Sequence, residues 1–289
     1  MEQHAPSARI APRNVLFASV ENESLLARVG ADVVDAVILD LEDEVVPANK
    51  DAARALLAPR IAALPSRITV FIRTNSVRAP WFADDMRVIT GLPRVDAVVV
   101  PKVESGAELE TAHAAARAAN RSLPLVAVLE SPPAFTDLAG ITGAAVPLAG
   151  FTMGPFDLSR ALGCRRDDDA PPVVHARAMA LMAARSHGLF AVDGPVARDL
   201  IGDARQDAFR RARAMGFDAK IVTSLEDAAA VRDIFTPTED EIALARAIVA
   251  AFDGRPQEEL AFLPGGATVD RRNLILSMRL LAKAGRALR

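Results

Sequence analysis

The chain has 289 residues, 51% of them hydrophobic, with a formal net charge of −3 and a pI near 5.9. That is enough apolar material for a large core, and it lacks the concentrated basic face that a nucleic-acid partner requires. The single cysteine, Cys164, excludes an internal disulfide and a cysteine-cluster metal site, and it fits a reducing compartment.

The opening stretch MEQHAPSARIAPRN holds no apolar run of signal-peptide length. No later segment approaches the ~20 apolar residues of a membrane helix. A cytoplasmic protein with no membrane partner is expected.

Short β-rich apolar runs then alternate with Ala/Arg/Leu-rich helical stretches. The runs are 14–19, 35–41, 68–73, 96–102, 124–130, 147–154, 188–194 and 217–223. Helical patterns fill 50–64, 105–120, 173–187 and 203–215. The runs are continuously hydrophobic, as parallel strands covered by helices are. Eight such units predict an α/β fold, the closed (β/α)8 TIM barrel. An open doubly wound sheet is the alternative. It would want a glycine-rich turn after the first strand, where this chain has Ser19-Val20-Glu21-Asn22.

The barrel is assigned to 1–252. Residues 238–252 read as one more helix, 254–267 as a Pro/Gly-bearing loop and 270–288 as a final basic helix. This extension, 253–289, is expected to pack on a neighbouring subunit. The acidic run Asp167-Asp168-Asp169 reads as a solvated loop. His4, His113, His175 and His187 show no ligand spacing.

Active sites of such barrels lie at the C-terminal ends of the strands. Those ends carry Asp40, Glu42 and Asp43; then Arg73 and Asn75; then Lys102, Glu130, Asp157 and Asp193. Charged groups of both signs are unusual at the exits of apolar strands. Glu130 and Asp157, from adjacent strands, could hold one hard cation that keeps several waters. Arg73 could grip a carboxylate with two parallel hydrogen bonds. Together they would stabilise an enolate, the need of an aldol or retro-aldol step. Each residue also has a plainer role open to it. Glu130 or Asp157 could cap a helix, and Arg73 could pair with Asp40 or Asp43. Lys102 could form a Schiff base or simply mark a charged strand exit.

The stretches AVILDLEDEVVPANKDAAR (36–54), IRTN (72–75), VVVPKVES (98–105), VLES (128–131), MGPFDLSRALG (153–163) and FTPTEDEIALA (235–245) resemble the citrate lyase beta-subunit-like branch of the HpcH/HpaI aldolases. The resemblance runs in order from about residue 13 to 252. It implies a TIM barrel with magnesium on Glu130 and Asp157. It implies that Arg73 and backbone amides near Gly154 bind the substrate carboxylate, and that Glu42 and Asp43 line the site. It implies trimers or hexamers in which an aspartate from a neighbour's C-terminal segment donates a proton, for which Asp270 is the best match. Substrates of that family are thioesters such as citryl-, malyl- and citramalyl-CoA, and a 2-oxo acid is the expected small-molecule partner.

Two turns depart from the family pattern. Where members carry a Pro-Gly-Asn-Arg-like turn, this chain has Ser19-Val20-Glu21-Asn22. Where they carry Gly-Lys-x-x-Ile-His-Pro-Ser-Gln, it has residues 219–227 with only Lys220 kept. Acids at the mouth repel CoA phosphates, and Pro155 removes one backbone donor. The leading expectation is a magnesium-dependent lyase of a 3-hydroxyacyl-CoA. An aldolase of free 2-oxo acids such as pyruvate or oxaloacetate is the second, and a non-catalytic subunit the third.

Overall fold

A computed structural model describes residues 12–165, 170–254 and 259–287. His4 and the run Asp167-Asp168-Asp169 lie outside the described residues. Eight parallel strands close into a barrel: β1 (Asn14–Ser19), β2 (Ala36–Asp40), β3 (Thr69–Arg73), β4 (Ala97–Val100), β5 (Leu125–Leu129), β6 (Leu148–Met153), β7 (Phe190–Asp193) and β8 (Ala219–Val222). Closure is made where β8 pairs with β1, Lys220 opposite Asn14. The expected TIM barrel is the fold, and each strand lies inside the apolar run that predicted it.

The strands lack polar alternation because both of their faces are buried. Ile38, Phe71, Val99, Val128 and Ile221 fill the lumen. The alternate residues Leu39, Ile72, Val98 and Leu129 pack against the surrounding helices. Gly150 lies where β6 meets β7. A Cβ there would stand 2.5 Å from the Phe190 carbonyl oxygen.

The helices follow local signals. Ser224 caps the helix Leu225–Phe235 by accepting from the Asp227 N–H at 3.1 Å. Thr238 and Glu241 form a capping box on the helix Glu239–Ala251. Gly163 and Gly216 end their helices in left-handed conformation.

Past the barrel, a short antiparallel hairpin, Leu260–Phe262 with Thr268–Asp270, begins within the stretch expected as a loop (254–267) and ends at the start of the final helix. It turns at Gly265 and Gly266, both at positive φ. The final helix, Arg271–Ala287, packs on the helix Glu239–Ala251 of its own chain. Leu260, Phe262, Leu276 and Met278 remain exposed on this extension. No helix of the described residues is long and apolar enough to cross a membrane.

Candidate active site

The exits of β2 and β3 build the first half of the site. Leu41 continues the pairing by donating to the Arg73 carbonyl at 3.0 Å. Asp40 is fully buried, and its Oδ1 accepts from Arg73 Nε at 2.6 Å and from the Glu42 N–H at 2.9 Å. Its Oδ2 accepts from the Glu44 N–H at 3.0 Å. Asp40 therefore fixes both the arginine and the turn that carries Glu42.

Arg73 lies over the Phe17 ring, 4.7 Å from its centroid, with Nη1 3.0 Å from Glu42 Oε2. Burial works against its charge, but Asp40 and Glu42 outweigh burial and hold its pKa above the ordinary value.

Glu42 is caught between two cations. Lys102 Nζ stands 2.7 Å from its Oε1, opposite the arginine. Yet both carboxylate oxygens are buried without a hydrogen bond of good geometry. The two ion pairs meet the distance requirement and miss the angular one. Burial raises the Glu42 pKa, against the pull of Arg73 and Lys102. The result is a carboxyl group that prefers its proton more than usual and has acceptor capacity to spare.

Glu130, at the exit of β5, is 4% exposed. Its Oε1 accepts from the Lys102 N–H at 2.8 Å. Lys102 reaches that position in left-handed backbone conformation, φ 55°, which an L-residue adopts at a cost. Burial, then the charge of Glu42, push the Glu130 pKa up to about 8, and Asp157 adds to the effect. Gly154, at the exit of β6, is the surface against which Glu130 packs. A Cβ on it would stand 2.4 Å from Glu130 Oε2 and Cβ. The Gly154 N–H is taken up by the Leu129 carbonyl at 3.1 Å, and Pro155 has none. Gly154 thus contributes space rather than a donor. Asp157 sits in the first turn of the helix Pro155–Leu162 and pairs with Arg160 at 2.6 Å, its side chain 30% exposed.

The described residues include no group of three or more His, Cys, Asp or Glu arranged to hold a metal ion. Any cation here would rest on the Glu130 and Asp157 carboxylates and on water. That donor set suits magnesium, which keeps several waters and takes one or two carboxylates. The buried Glu130 carboxyl, its pKa raised in part by the charge of Asp157, would also be relieved by a cation between the two.

A model of the HpcH/HpaI aldolase/citrate lyase family matches residues 13–232. The chain belongs to this family. A citrate lyase subunit beta-like protein of Deinococcus radiodurans is 34% identical over 96% of this chain and 99% of its own length. A (3S)-malyl-CoA thioesterase of Cereibacter sphaeroides is 31% identical, covering 94% of each chain. Among solved structures, CitE from Mycobacterium tuberculosis in complex with magnesium, acetoacetate and coenzyme A superposes with a TM-score of 0.71. It is 30% identical and covers 96% of this chain and 99% of that one.

In this member of the HpcH/HpaI family the structure brings Glu42, Arg73, Glu130 and Gly154 to one mouth, with Asp43 at the rim 3.1 Å from Lys102 Nζ. Two expected residues stand elsewhere. Asp193, expected at the mouth from its place at the exit of β7, is one. Its inward neighbour is Val192, so Asp193 faces outward, where Arg177 and Lys220 each bind its Oδ2 at 2.6 Å. Within one chain Asp270 caps the final helix. It accepts from the Asn273 N–H at 3.0 Å and from Arg272 Nε at 2.8 Å.

The chemistry of Lys102 speaks against a Schiff base. Burial lowers its pKa, but Glu42 and Asp43 more than reverse this and keep it a cation.

Sequence reading missed several polar groups. Ser131, next to Glu130, and Thr152 on β6 have buried hydroxyls with no hydrogen-bond partner. Asp85, fully buried, joins Arg54 to Asn75. A buried aspartate inside the helix Phe82–Gly91 was the available signal, because an unpaired charge cannot remain there.

Proposed function

We propose that this chain is a magnesium-dependent carbon–carbon lyase. It cleaves a 3-hydroxyacyl-CoA such as malyl-, citramalyl- or citryl-CoA to a 2-oxo acid and an acyl-CoA. The observation that carries this reading is the meeting of Arg73, Glu42 and Glu130 at one mouth, with Asp157 near enough to raise the Glu130 pKa.

Glu130 and Asp157 would hold the ion, Asp157 exchanging Arg160 for it. The bound ion supplies Lewis acidity to the hydroxyl and carboxylate oxygens of the substrate. Arg73, anchored by Asp40 through Nε, turns its remaining N–H groups to the substrate carboxylate. Glu42, with its raised pKa and free acceptor capacity, takes the hydroxyl proton. The electron pair of the broken C–C bond passes to the α-carbon of the departing acyl group. Asp270 of a neighbouring copy delivers the proton that converts this enolate to acyl-CoA. Asp43 holds Lys102 against Glu42 at the rim.

This role for Asp270 requires an oligomer, proposed as a trimer or hexamer. The exposed Leu260, Phe262, Leu276 and Met278 support a partner on the C-terminal extension. The chain's small-molecule chemistry and single cysteine fit a cytoplasmic setting.

A second reading, an aldolase of free 2-oxo acids, has its own observation. The exposed rim carries Asp43, Glu44, Glu23 and Glu226. Its cations Arg78, Lys102 and Arg160 are each paired to carboxylates. The test is steady-state cleavage of the three thioesters, with and without magnesium, at two ionic strengths. Magnesium-dependent release of a 2-oxo acid supports the lyase. No turnover of any thioester, with magnesium-dependent aldol cleavage of a free hydroxy acid, supports the second reading.

A further inference from the structure

We infer that Lys50 is a positioning residue for Glu42, acting through the backbone of the β2 exit turn; this rests on the catalytic role proposed for Glu42. Lys50 opens the helix Lys50–Ala63 and is 5% exposed. Its ammonium makes three hydrogen bonds, all at 2.7 Å: to the Leu41 carbonyl, the Glu42 carbonyl and Asn75 Oδ1. The Trp81 ring covers it, 5.1 Å from Nζ to the centroid. Three hydrogens meet three acceptors, so no N–H and no lone pair is left for chemistry on a substrate.

What the arrangement holds is specific. The N–H of Glu42 is bound by Asp40, and its carbonyl by Lys50. The residue is thus gripped on both sides of its Cα, which fixes the direction of its side chain. The same Asp40 oxygen binds Arg73. Asn75, the third acceptor of Lys50, lies just past Arg73 and also donates to the Leu41 carbonyl at 3.1 Å. Lys50 and Asn75 therefore tie together the two strand exits that carry Glu42 and Arg73. Asn75 is itself held by Asp85 through its N–H at 2.8 Å and its Nδ2 at 2.7 Å.

Burying an ammonium carries a desolvation penalty, and a neutral side chain could fill this space without one. Rigid support behind a reacting group is what limits misplacement in the transition state, where small displacements lower rate. The Lys50 contacts stop at the Leu41 and Glu42 carbonyl oxygens and at Asn75, and Lys50 touches neither the Glu42 side chain nor Arg73. The role therefore predicts a loss in turnover with little change in substrate or metal affinity.

The test compares wild type, Lys50→Met, Asn75→Ala and Arg13→Met. Arg13 pairs with Asp35 at 2.7 Å at the opposite end of the barrel, and its loss serves as a stability control. Each folded protein is assayed for thioester cleavage and magnesium affinity, and Lys50→Met is crystallised. The expected result for Lys50→Met is a fall in kcat of about tenfold or more, with KM and magnesium Kd within about twofold. Its crystal structure should show Glu42 displaced from Arg73. Asn75→Ala should lose kcat in the same direction, and Arg13→Met should lose thermal stability with kcat intact. If Lys50→Met does not fold, Asn75→Ala decides. Unchanged kcat in Asn75→Ala, or a Lys50→Met crystal with Glu42 unmoved, overturns the inference. Failure of wild type to cleave any thioester would instead strike the proposed function, and the crystallographic comparison would still decide the placement of Glu42.

Discussion

Glu130 can lie where it does because residue 154 is glycine: a Cβ on Gly154 would stand 2.4 Å from Glu130 Oε2. That separation is well inside van der Waals contact, and the carboxylate would have to swing away. Gly154→Ala is therefore expected to leave the barrel folded, by circular dichroism, and to weaken magnesium binding by about tenfold or more in calorimetry. Unchanged magnesium affinity would show that Glu130 is not a ligand in this position.

The pH dependence follows from the same carboxyl. Burial and Glu42 raise the Glu130 pKa from 4.5 to about 8. Between those values the folded metal-free protein keeps a proton that the unfolded chain releases. Folded protein then binds more protons, so stability falls as pH rises through that window and levels off above it. Glu42 shifts in the same direction and adds to the trend. Magnesium requires the carboxylate, so its affinity should increase by up to about tenfold per pH unit below about pH 8 and then plateau. Scans of Tm against pH, without and with saturating magnesium, should diverge as pH rises. Parallel curves would contradict the raised Glu130 pKa.

Arg73→Lys keeps a positive charge and loses the planar fork. Asp40 already occupies Nε, so a lysine ammonium cannot serve both Asp40 and a substrate carboxylate in the same geometry. The expected change is a fall in kcat/KM of about 100-fold, mostly through KM. Near-normal kcat/KM would mean that only the charge matters.

The proposed sharing of sites between copies has a mixing test. Asp270→Asn and Glu130→Gln should each be inactive alone. Co-expressed, they should recover part of the activity, because a mixed oligomer contains some sites with an intact barrel and an intact donor. No recovery, despite mixed oligomers confirmed by mass spectrometry, would place Asp270 outside the reaction.

Much of this architecture was open to reading in the amino-acid order. Val98, Val99 and Val100 are buried on both strand faces, so continuous apolar runs marked the strands of the barrel. The strand-exit rule then pointed to Arg73, Glu130 and Asp157. Asp193 shows where that rule needs parity: with Val192 in the lumen, the next side chain must face the helices. The role of Lys50 was not legible, because two of its three partners are backbone carbonyls. The hairpin at Leu260–Phe262 was missed because its strands are three residues each, too short to show a period.

The central claim is that Glu130 and Asp157 carry a metal on which a 2-oxo acid assembles. Calorimetric titration of oxaloacetate into wild type and Glu130→Gln, each with and without magnesium, tests it most directly. The account predicts binding to wild type only when magnesium is present, and none to Glu130→Gln in either condition. Equal binding by Glu130→Gln in the presence of magnesium would contradict it.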